Sequence, residues 1–140
     1  MAEQRNRFTI FTKPWQDLSL EDLGKLVKEL GFDGIELPVR AGYQVEPGLI
    51  GTGLKDAVKI LADQGVFIGS VAGNTDKQTI NACGENGIPI IRICVSIDME
   101  IGYMATEKIV RQGFDGLIPD LESAGVSIGV QNHCGNSVAS

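Results

Sequence analysis

Apolar and polar residues follow two alternating spacings along this chain. Short apolar or alternating runs of the kind that form β-strands occur at 7–13, 32–38, 66–72 and 89–97, with a fifth inside 125–135. Apolar residues three or four positions apart, as on one face of an amphipathic helix, occupy 19–30, 54–64, 75–86 and 104–124. The pattern therefore predicts five strands and four helices in alternation.

A glycine follows each predicted helix, at Gly31, Gly65, Gly87 and Gly125. Glycine is common at this position because it adopts the left-handed conformation that ends a helix without steric cost. Strands alternating with helices favour right-handed βαβ crossovers, and such crossovers produce a parallel sheet. The predicted fold class is therefore α/β.

Polar residues before two of the helices are predicted to cap them. Ser19 precedes the first helix with Asp22 three residues later, which resembles a capping box made with the shorter acid. Asn74 or Thr75 is expected to cap the third helix.

Glycine and proline predict two irregular segments. Residues 40–53 contain four glycines and a proline, so we expect a long loop there. The fourth helix contains Gly113, Gly116 and Pro119, which predict a kink or a break within it.

Two architectures accommodate five parallel strands. A doubly wound sheet of the flavodoxin kind fits a chain of 140 residues, whereas a complete (β/α)8 barrel needs about 250 residues, so this chain would be part of one. Length favours the first architecture. Against it, the chain has neither a G-x-G-x-x-G motif nor a Walker-type phosphate loop.

The two faces of the predicted strands differ in polarity. In the second strand Ile35 and Leu37 alternate with Glu36, and in the fourth strand apolar residues alternate with Arg92. In the third strand the alternation places Ile68 and Ser70 on one face, against Phe67, Gly69 and Val71 on the other. A doubly wound sheet is apolar on both faces, so one mixed face favours a barrel interior, with Glu36 and Arg92 at similar depths.

Composition and charge restrict the class of protein. The chain is predicted to be a single domain spanning 1–140. A net charge of −6 argues against nucleic acid as a partner, and no apolar run approaches the roughly 20 residues that span a bilayer. The N-terminal residues lack an apolar signal core. Three cysteines without a C-x-x-C motif predict reduced thiols in a cytoplasmic protein.

Two segments resemble a known family. Gly31-Phe-Asp-Gly-Ile-Glu-Leu37 and Gly125-Val-Ser-Ile-Gly-Val-Gln-Asn-His-Cys-Gly135 resemble the second and fifth strands of the sugar phosphate isomerase/epimerase family, which are xylose isomerase-like TIM barrels related to the AP endonuclease type. The resemblance spans 7–135. It implies a partial TIM barrel, half to five-eighths of the whole, and isomerisation or epimerisation of a small sugar or sugar phosphate.

The resemblance also implies a divalent metal, Mn, Mg, Zn or Co, in the complete barrel. The family usually has a glutamate ligand where this chain has Gln131. An amide oxygen is a weaker donor for a hard cation than a carboxylate. The resemblance places the other ligands, an Asp, a His and a Glu, on later strands, so we expect this chain to bind no metal itself.

Several residues are candidates for the pocket. Glu36 is the candidate catalytic acid or base, and burial beside Arg92 could tune its pKa; the alternative is a structural Arg–Glu pair. The predicted substrate-binding residues are Lys13, Trp15, Arg92, Asn132 and His133.

Three further residues have open roles. Tyr43 and Glu46, in the glycine-rich loop, are candidates for a lid over the substrate, although a plain long loop has the same composition. A nucleophilic pairing of Cys134 with His133 is disfavoured, because adjacent residues of a strand point to opposite sides.

Two hypotheses for this chain follow. In the first, the 140 residues are an inactive part of a sugar isomerase or epimerase. In the second, they form a structural half-barrel whose open edges associate into a homodimer. A third, a doubly wound small-molecule-binding domain, would have the strand order 2-1-3-4-5.

Overall fold

A computed structural model describes residues 6–135 and residue 137, and within them five strands alternate with four α-helices. The strands are β1 (Thr9–Phe11), β2 (Gly34–Pro38), β3 (Phe67–Ala72), β4 (Ile90–Ile93) and β5 (Ser127–Val130). The helices are α1 (Leu20–Glu29), α2 (Ile50–Asp63), α3 (Lys77–Glu85) and α4 (Tyr103–Ala124). Short 3-10 helices occupy Lys13–Trp15 and Pro47–Leu49. The α/β alternation predicted from the sequence is confirmed; the predicted domain limits, 1 and 140, lie outside the described residues.

The five strands form one parallel sheet in the order β1-β2-β3-β4-β5. Each strand pairs only with its neighbours in the sequence, which is the arrangement of consecutive strands in an α/β barrel. The prediction of a partial barrel is confirmed. The doubly wound alternative is wrong, since its order would place β1 between β2 and β3.

The hydrophobic core lies between the helices and one face of the sheet. Strand residues in it include Ile35, Leu37, Val71 and Ile91, and helix residues include Leu23, Val27, Leu54, Leu61 and Ile80. Burial of these apolar side chains is the main favourable contribution to folding. The opposite face of the sheet carries Glu36 and Arg92, as the mixed faces of the strands predicted.

A bulge in β3 changes which of its residues face the core. Ile35 of β2 is paired with Ile68, but the next residue, Glu36, is paired with Ser70, so Gly69 is an extra residue in the ladder. Ile68 is buried while Ser70 lies beside Glu36 on the other face. The prediction that Ile68 and Ser70 share a face is therefore wrong, because strict alternation does not survive a bulge.

The two helix caps have different outcomes. The Ser19 hydroxyl accepts a hydrogen bond from the Asp22 amide at 3.1 Å, which confirms the predicted cap of α1. The cap of α3 is Asp76 rather than Asn74 or Thr75. Its carboxylate accepts from the Thr79 amide at 2.9 Å, and a negative charge at a helix N-terminus also complements the helix dipole.

Two segments differ from what their glycine content predicted, because buried apolar residues hold them in helices. The loop predicted over 40–53 ends at Leu49, and α2 begins at the buried Ile50. Helix α4 is continuous through Gly113, Gly116 and Pro119, so the predicted break is wrong. Its partly buried apolar residues pack against the core and offset the cost of those three positions.

Strand lengths are shorter than the apolar runs suggested. The run at 89–97 forms a strand only over Ile90–Ile93, and the one at 7–13 only over Thr9–Phe11. After β4 the apolar residues Val95 and Ile97 continue into the connection that follows, whereas after β1 the chain passes directly to Thr12 and Lys13. No helix in the described part of the chain is both long and apolar enough to cross a membrane.

Candidate functional site

An ion pair lies at the centre of the sheet face that the helices leave open. Nε of Arg92 donates to Oε1 of Glu36 at 3.0 Å, and Nη2 of Arg92 lies 2.5 Å from the same oxygen. Oε2 of Glu36 accepts a hydrogen bond from the Ser70 hydroxyl at 3.0 Å. The two charged side chains are only 15% and 17% exposed. Both oxygens of Glu36 are therefore engaged, one by a side chain of β4 and the other by a side chain of β3.

Arg92 is held from two further directions. Its guanidinium lies 4.6 Å from the centre of the Phe11 ring on β1, a cation–π contact. Nη1 of Arg92 lies 3.9 Å from Sγ of Cys94. Burial lowers the pKa of Arg92, but hydrogen bonds and the charge of Glu36 outweigh it, so that the pKa lies above its ordinary value. Arg92 remains a cation under all ordinary conditions.

The contacts extend to the segment after β5. The backbone N–H of Gln131 donates to the Ile93 carbonyl at 2.8 Å, which places Gln131 beside the end of β4. Its side-chain oxygen, Oε1, lies 3.6 Å from Sγ of Cys94, within the distance of a weak thiol hydrogen bond. Polar contacts thus link the interior of β2, β3 and β4 to the residues that directly follow β4 and β5, with Phe11 of β1 packed on the same cluster.

Asn132 and His133 lie at the rim and are exposed. Nδ1 of His133 lies 3.0 Å from the Cys134 carbonyl oxygen and 3.8 Å from Sγ of Cys134. The expectation that these neighbours point to opposite sides is wrong, because residues 131–135 are not a strand. Cys134 is exposed as well.

Lys13 and Trp15 lie in the 3-10 helix after β1. Lys13 is exposed, whereas Trp15 is half-buried and packs against the hydrophobic core. The Tyr43 hydroxyl donates to the Lys13 carbonyl at 3.4 Å, and Nε2 of Gln44 donates to the Trp15 carbonyl at 2.8 Å. The glycine-rich loop is therefore anchored to this segment by side chains. The roles predicted for Lys13 and Trp15 stay predictions.

Two open clefts border the ion pair. One, of about 720 Å³, lies at the carboxyl ends of the strands and includes Arg40, Asn74, Thr75, Asp76, Arg92 and Cys94 in its lining. The other, of about 860 Å³, lies towards the amino ends and includes Arg7, Thr9, Glu36, Phe67, Ser70 and Arg92. Arg92 lines both clefts. In parallel α/β folds ligands bind at the carboxyl ends of the strands, which favours the first cleft as a ligand site.

The described residues do not form a metal site by themselves. No group of three or more His, Cys, Asp or Glu side chains within 6–135 and 137 is arranged to hold a metal ion. Gln131, the predicted metal ligand, has a neutral amide oxygen, and that oxygen faces a thiol rather than a second oxygen ligand. This donor set does not suit a hard divalent cation.

The sequence predicted Glu36 and Arg92 but missed four neighbours: Phe11, Arg40, Ser70 and Cys94. Phe11 and Cys94 could have been found from the alternation of their own strands, because they lie two-residue steps from other positions on the mixed face. Ser70 could not, since the bulge at Gly69 moves it to that face.

The three cysteines are expected to differ in reactivity. Burial raises the pKa of the Cys83 thiol to about 11, because a low-dielectric surrounding disfavours the thiolate. Cys94 and Cys134 are exposed. At about pH 8 we expect Ellman's reagent to titrate two thiols in the native chain and the third only in denaturant. Release of three equivalents without denaturant would contradict the buried position of Cys83, and the Cys94→Ser/Cys134→Ser variant should release none.

No protein-family model matches the chain, and no curated protein matches it in sequence. Solved structures match it in fold. The apo form of 3-keto-D-glucoside 4-epimerase, YcjR, from E. coli has a TM-score of 0.68 at 11% identity, over 94% of this chain and 58% of that chain. Mannonate dehydratase from Streptococcus suis serotype 2 has a TM-score of 0.56 at 14% identity, over 90% and 53%.

D-psicose 3-epimerase from Clostridium cellulolyticum H10, solved with D-tagatose, has a TM-score of 0.57 at 12% identity, over 88% of this chain and 51% of that one. The chain thus spans a little over half the length of each solved structure. At these identities the matches show the fold alone, which is part of an α/β barrel, as the resemblance predicted.

Proposed function

We propose that this chain is part of a barrel that isomerises or epimerises a small sugar, and that the sugar binds at the carboxyl ends of its strands. The observation that supports this most is the cluster of Glu36, Ser70, Arg92, Cys94 and Gln131, which draws on four adjacent strands. Arg92 and Cys94 of this cluster line the cleft at the carboxyl ends of the strands, where barrels place their chemistry. Two of the matched structures are named as sugar epimerases.

Each residue of the cluster has a proposed role. Gln131 offers an amide to sugar hydroxyls at the rim, and the exposed Asn132 and His133 extend that polar edge. Arg92 is fixed by Glu36 and Phe11 and lines the cleft as a cation. The contacts of Glu36 support a positioning role, since both of its oxygens are engaged by Arg92 and Ser70; its role as acid or base stays a prediction.

The divalent metal implied by the sequence resemblance does not fit the described residues alone, and the proposal derives no step from it. Proton transfer next to the sugar carbonyl would also need an unpaired acid or base. Glu36 is paired, and the chain spans 58% of the length of the epimerase from E. coli. We therefore propose that these residues bind sugar without turning it over.

Saturation-transfer NMR with D-psicose tests the proposal. We expect the wild-type chain to transfer saturation to the sugar, and Gln131→Ala to lose most of this transfer. Gln112→Ala, an exposed glutamine on α4, is the matched control and should behave as wild type. Absence of transfer, or equal transfer in all three proteins, would count against sugar binding at this rim. Deuterium incorporation into D-psicose in D2O would instead support the barrel function and overturn the proposal that this chain is inactive alone.

A second candidate function, self-association as a structural half-barrel, is favoured by one surface. An apolar cleft of about 560 Å³ lies between α4 and β5, lined in part by Phe114, Ile118, Ile128 and Val130. Ile118 and Val130 are exposed, and β5 is an edge strand of the sheet. Sedimentation equilibrium distinguishes the outcomes. A dimer that dissociates in Ile118→Glu supports association through this surface, and a monomer at high concentration overturns it.

A further inference from the structure

Arg40 is a second arginine in the cleft at the carboxyl ends of the strands. It follows the end of β2, and its backbone is fixed on both sides by the glycine-rich loop. The Arg40 amide donates to the Val45 carbonyl at 3.2 Å, and the Arg40 carbonyl accepts from the Tyr43 amide at 3.2 Å. The residue is half-buried, and its side chain lines the cleft of about 720 Å³. Its position is therefore well defined.

The other charged groups of this cleft have partners of their own. Arg92 is paired with Glu36. The Asp76 carboxylate is turned to its own helix, with Oδ1 on the Thr79 amide at 2.9 Å and Oδ2 on the Thr79 hydroxyl at 3.2 Å. Neither Arg92 nor Asp76 is therefore left without a partner.

The Arg40 guanidinium, in contrast, makes no hydrogen bond or ion pair with any described residue. Its positive charge therefore has no ion-pair partner among the described residues, and the one acid of the lining, Asp76, is hydrogen-bonded to Thr79 instead. Asn74 and Thr75, on the connection between β3 and α3, line the same cleft with neutral polar side chains. A cation beside neutral donors favours an anionic ligand, and the planar fork of arginine matches the two oxygens of a carboxylate or phosphate.

We propose that Arg40 binds an anionic substituent, a phosphate or a carboxylate, of the molecule that occupies this cleft. The inference rests on the proposed function, and it narrows the ligand from small sugars in general to a sugar phosphate or a sugar acid. Both arginines line the cleft, and because Arg92 is already paired with Glu36, the anion is assigned to Arg40. The cleft volume is in the range of small-molecule sites.

Amide NMR titrations of the chain with inorganic phosphate and, separately, with acetate test the proposal. We expect saturable shifts at Asn74, Thr75 and Cys94 with at least one anion, and the anion that gives them identifies the substituent. Arg40→Ala should weaken this binding about ten-fold or more, as expected for loss of a charge-assisted contact. Arg111→Ala, which removes an exposed arginine on α4, is the matched control and should leave binding unchanged.

The other outcomes decide between the anion site and the sugar function. If neither anion shifts these amides, or if Arg40→Ala binds as wild type does, Arg40 is not an anion site. Arg40→Gln replaces the alanine variant if the latter does not fold. Phosphate or acetate binding without D-psicose binding would support the anion site while counting against the sugar function. D-psicose binding without either anion would overturn the anion site alone.

Discussion

Replacement of Arg92 by methionine is expected to lower the free energy of unfolding by about 3 kcal/mol, because it leaves the Glu36 carboxylate with no counter-ion in a largely buried position. Arg92 and Glu36 are 15% and 17% exposed, so solvent cannot replace the lost partner fully. The cation–π contact with Phe11 is lost as well. Urea denaturation followed by circular dichroism measures the change.

Two further variants separate the effect of the unpaired charge from the effect of lost packing. Glu36→Gln/Arg92→Met should be more stable than Arg92→Met alone, since removal of both charges leaves no unpaired ion. Arg111→Ala removes an exposed arginine that is paired with Glu107, and should cost no more than about 0.5 kcal/mol. Equal effects of Arg92→Met and Arg111→Ala would show that the interior pair has no special part in stability.

Gly84→Ala is expected to destabilise the chain by about 2 kcal/mol, because the added methyl group overpacks the contact between α3 and α4. A Cβ at Gly84 would lie 2.6 Å from the Ala124 carbonyl oxygen, which is backbone and cannot turn aside. Thermal unfolding followed by circular dichroism gives the change in midpoint.

Gly116→Ala provides a control of opposite sign within a helix. A Cβ at Gly116 meets no atom within 4 Å. Alanine there should stabilise α4 by about 0.5–1 kcal/mol, the difference in helix propensity between the two residues. If both variants were destabilised to a similar extent, the close contact at Gly84 would not be the cause of its effect.

Periodicity predicted the order and type of the elements because these depend on local spacing. The ends of the elements depend on which side chains are buried, and the local spacing does not predict this. Glycine-rich composition suggested a loop up to residue 53, yet the buried Ile50 and Leu54 fix the first turn of α2. In α4 the core contacts of Leu117 and Leu121 hold a helix through positions that disfavour one.

The candidate site was predictable where it follows from strand alternation alone. Glu36 and Arg92 could be placed on one face at similar depths, and the structure pairs them. Ser70 could not, because the extra residue at Gly69 shifts the register of β3 by one position. Arg40 lies beyond β2, where side-chain direction depends on the loop that returns to Val45. The two-residue alternation of a strand predicts neither the register shift at Gly69 nor the side-chain direction of Arg40.

The sequential strand order has a consequence for how the chain reaches its native state. Every strand pairs only with the strand before and after it, so no pairing has to wait for a distant segment. Each pairing closes only the one helical crossover between two consecutive strands, and domains generally begin to fold from the N-terminus during synthesis. The sheet can therefore grow by one strand and one helix at a time as the ribosome releases them. Each added helix then covers the apolar face of the strands that have already paired.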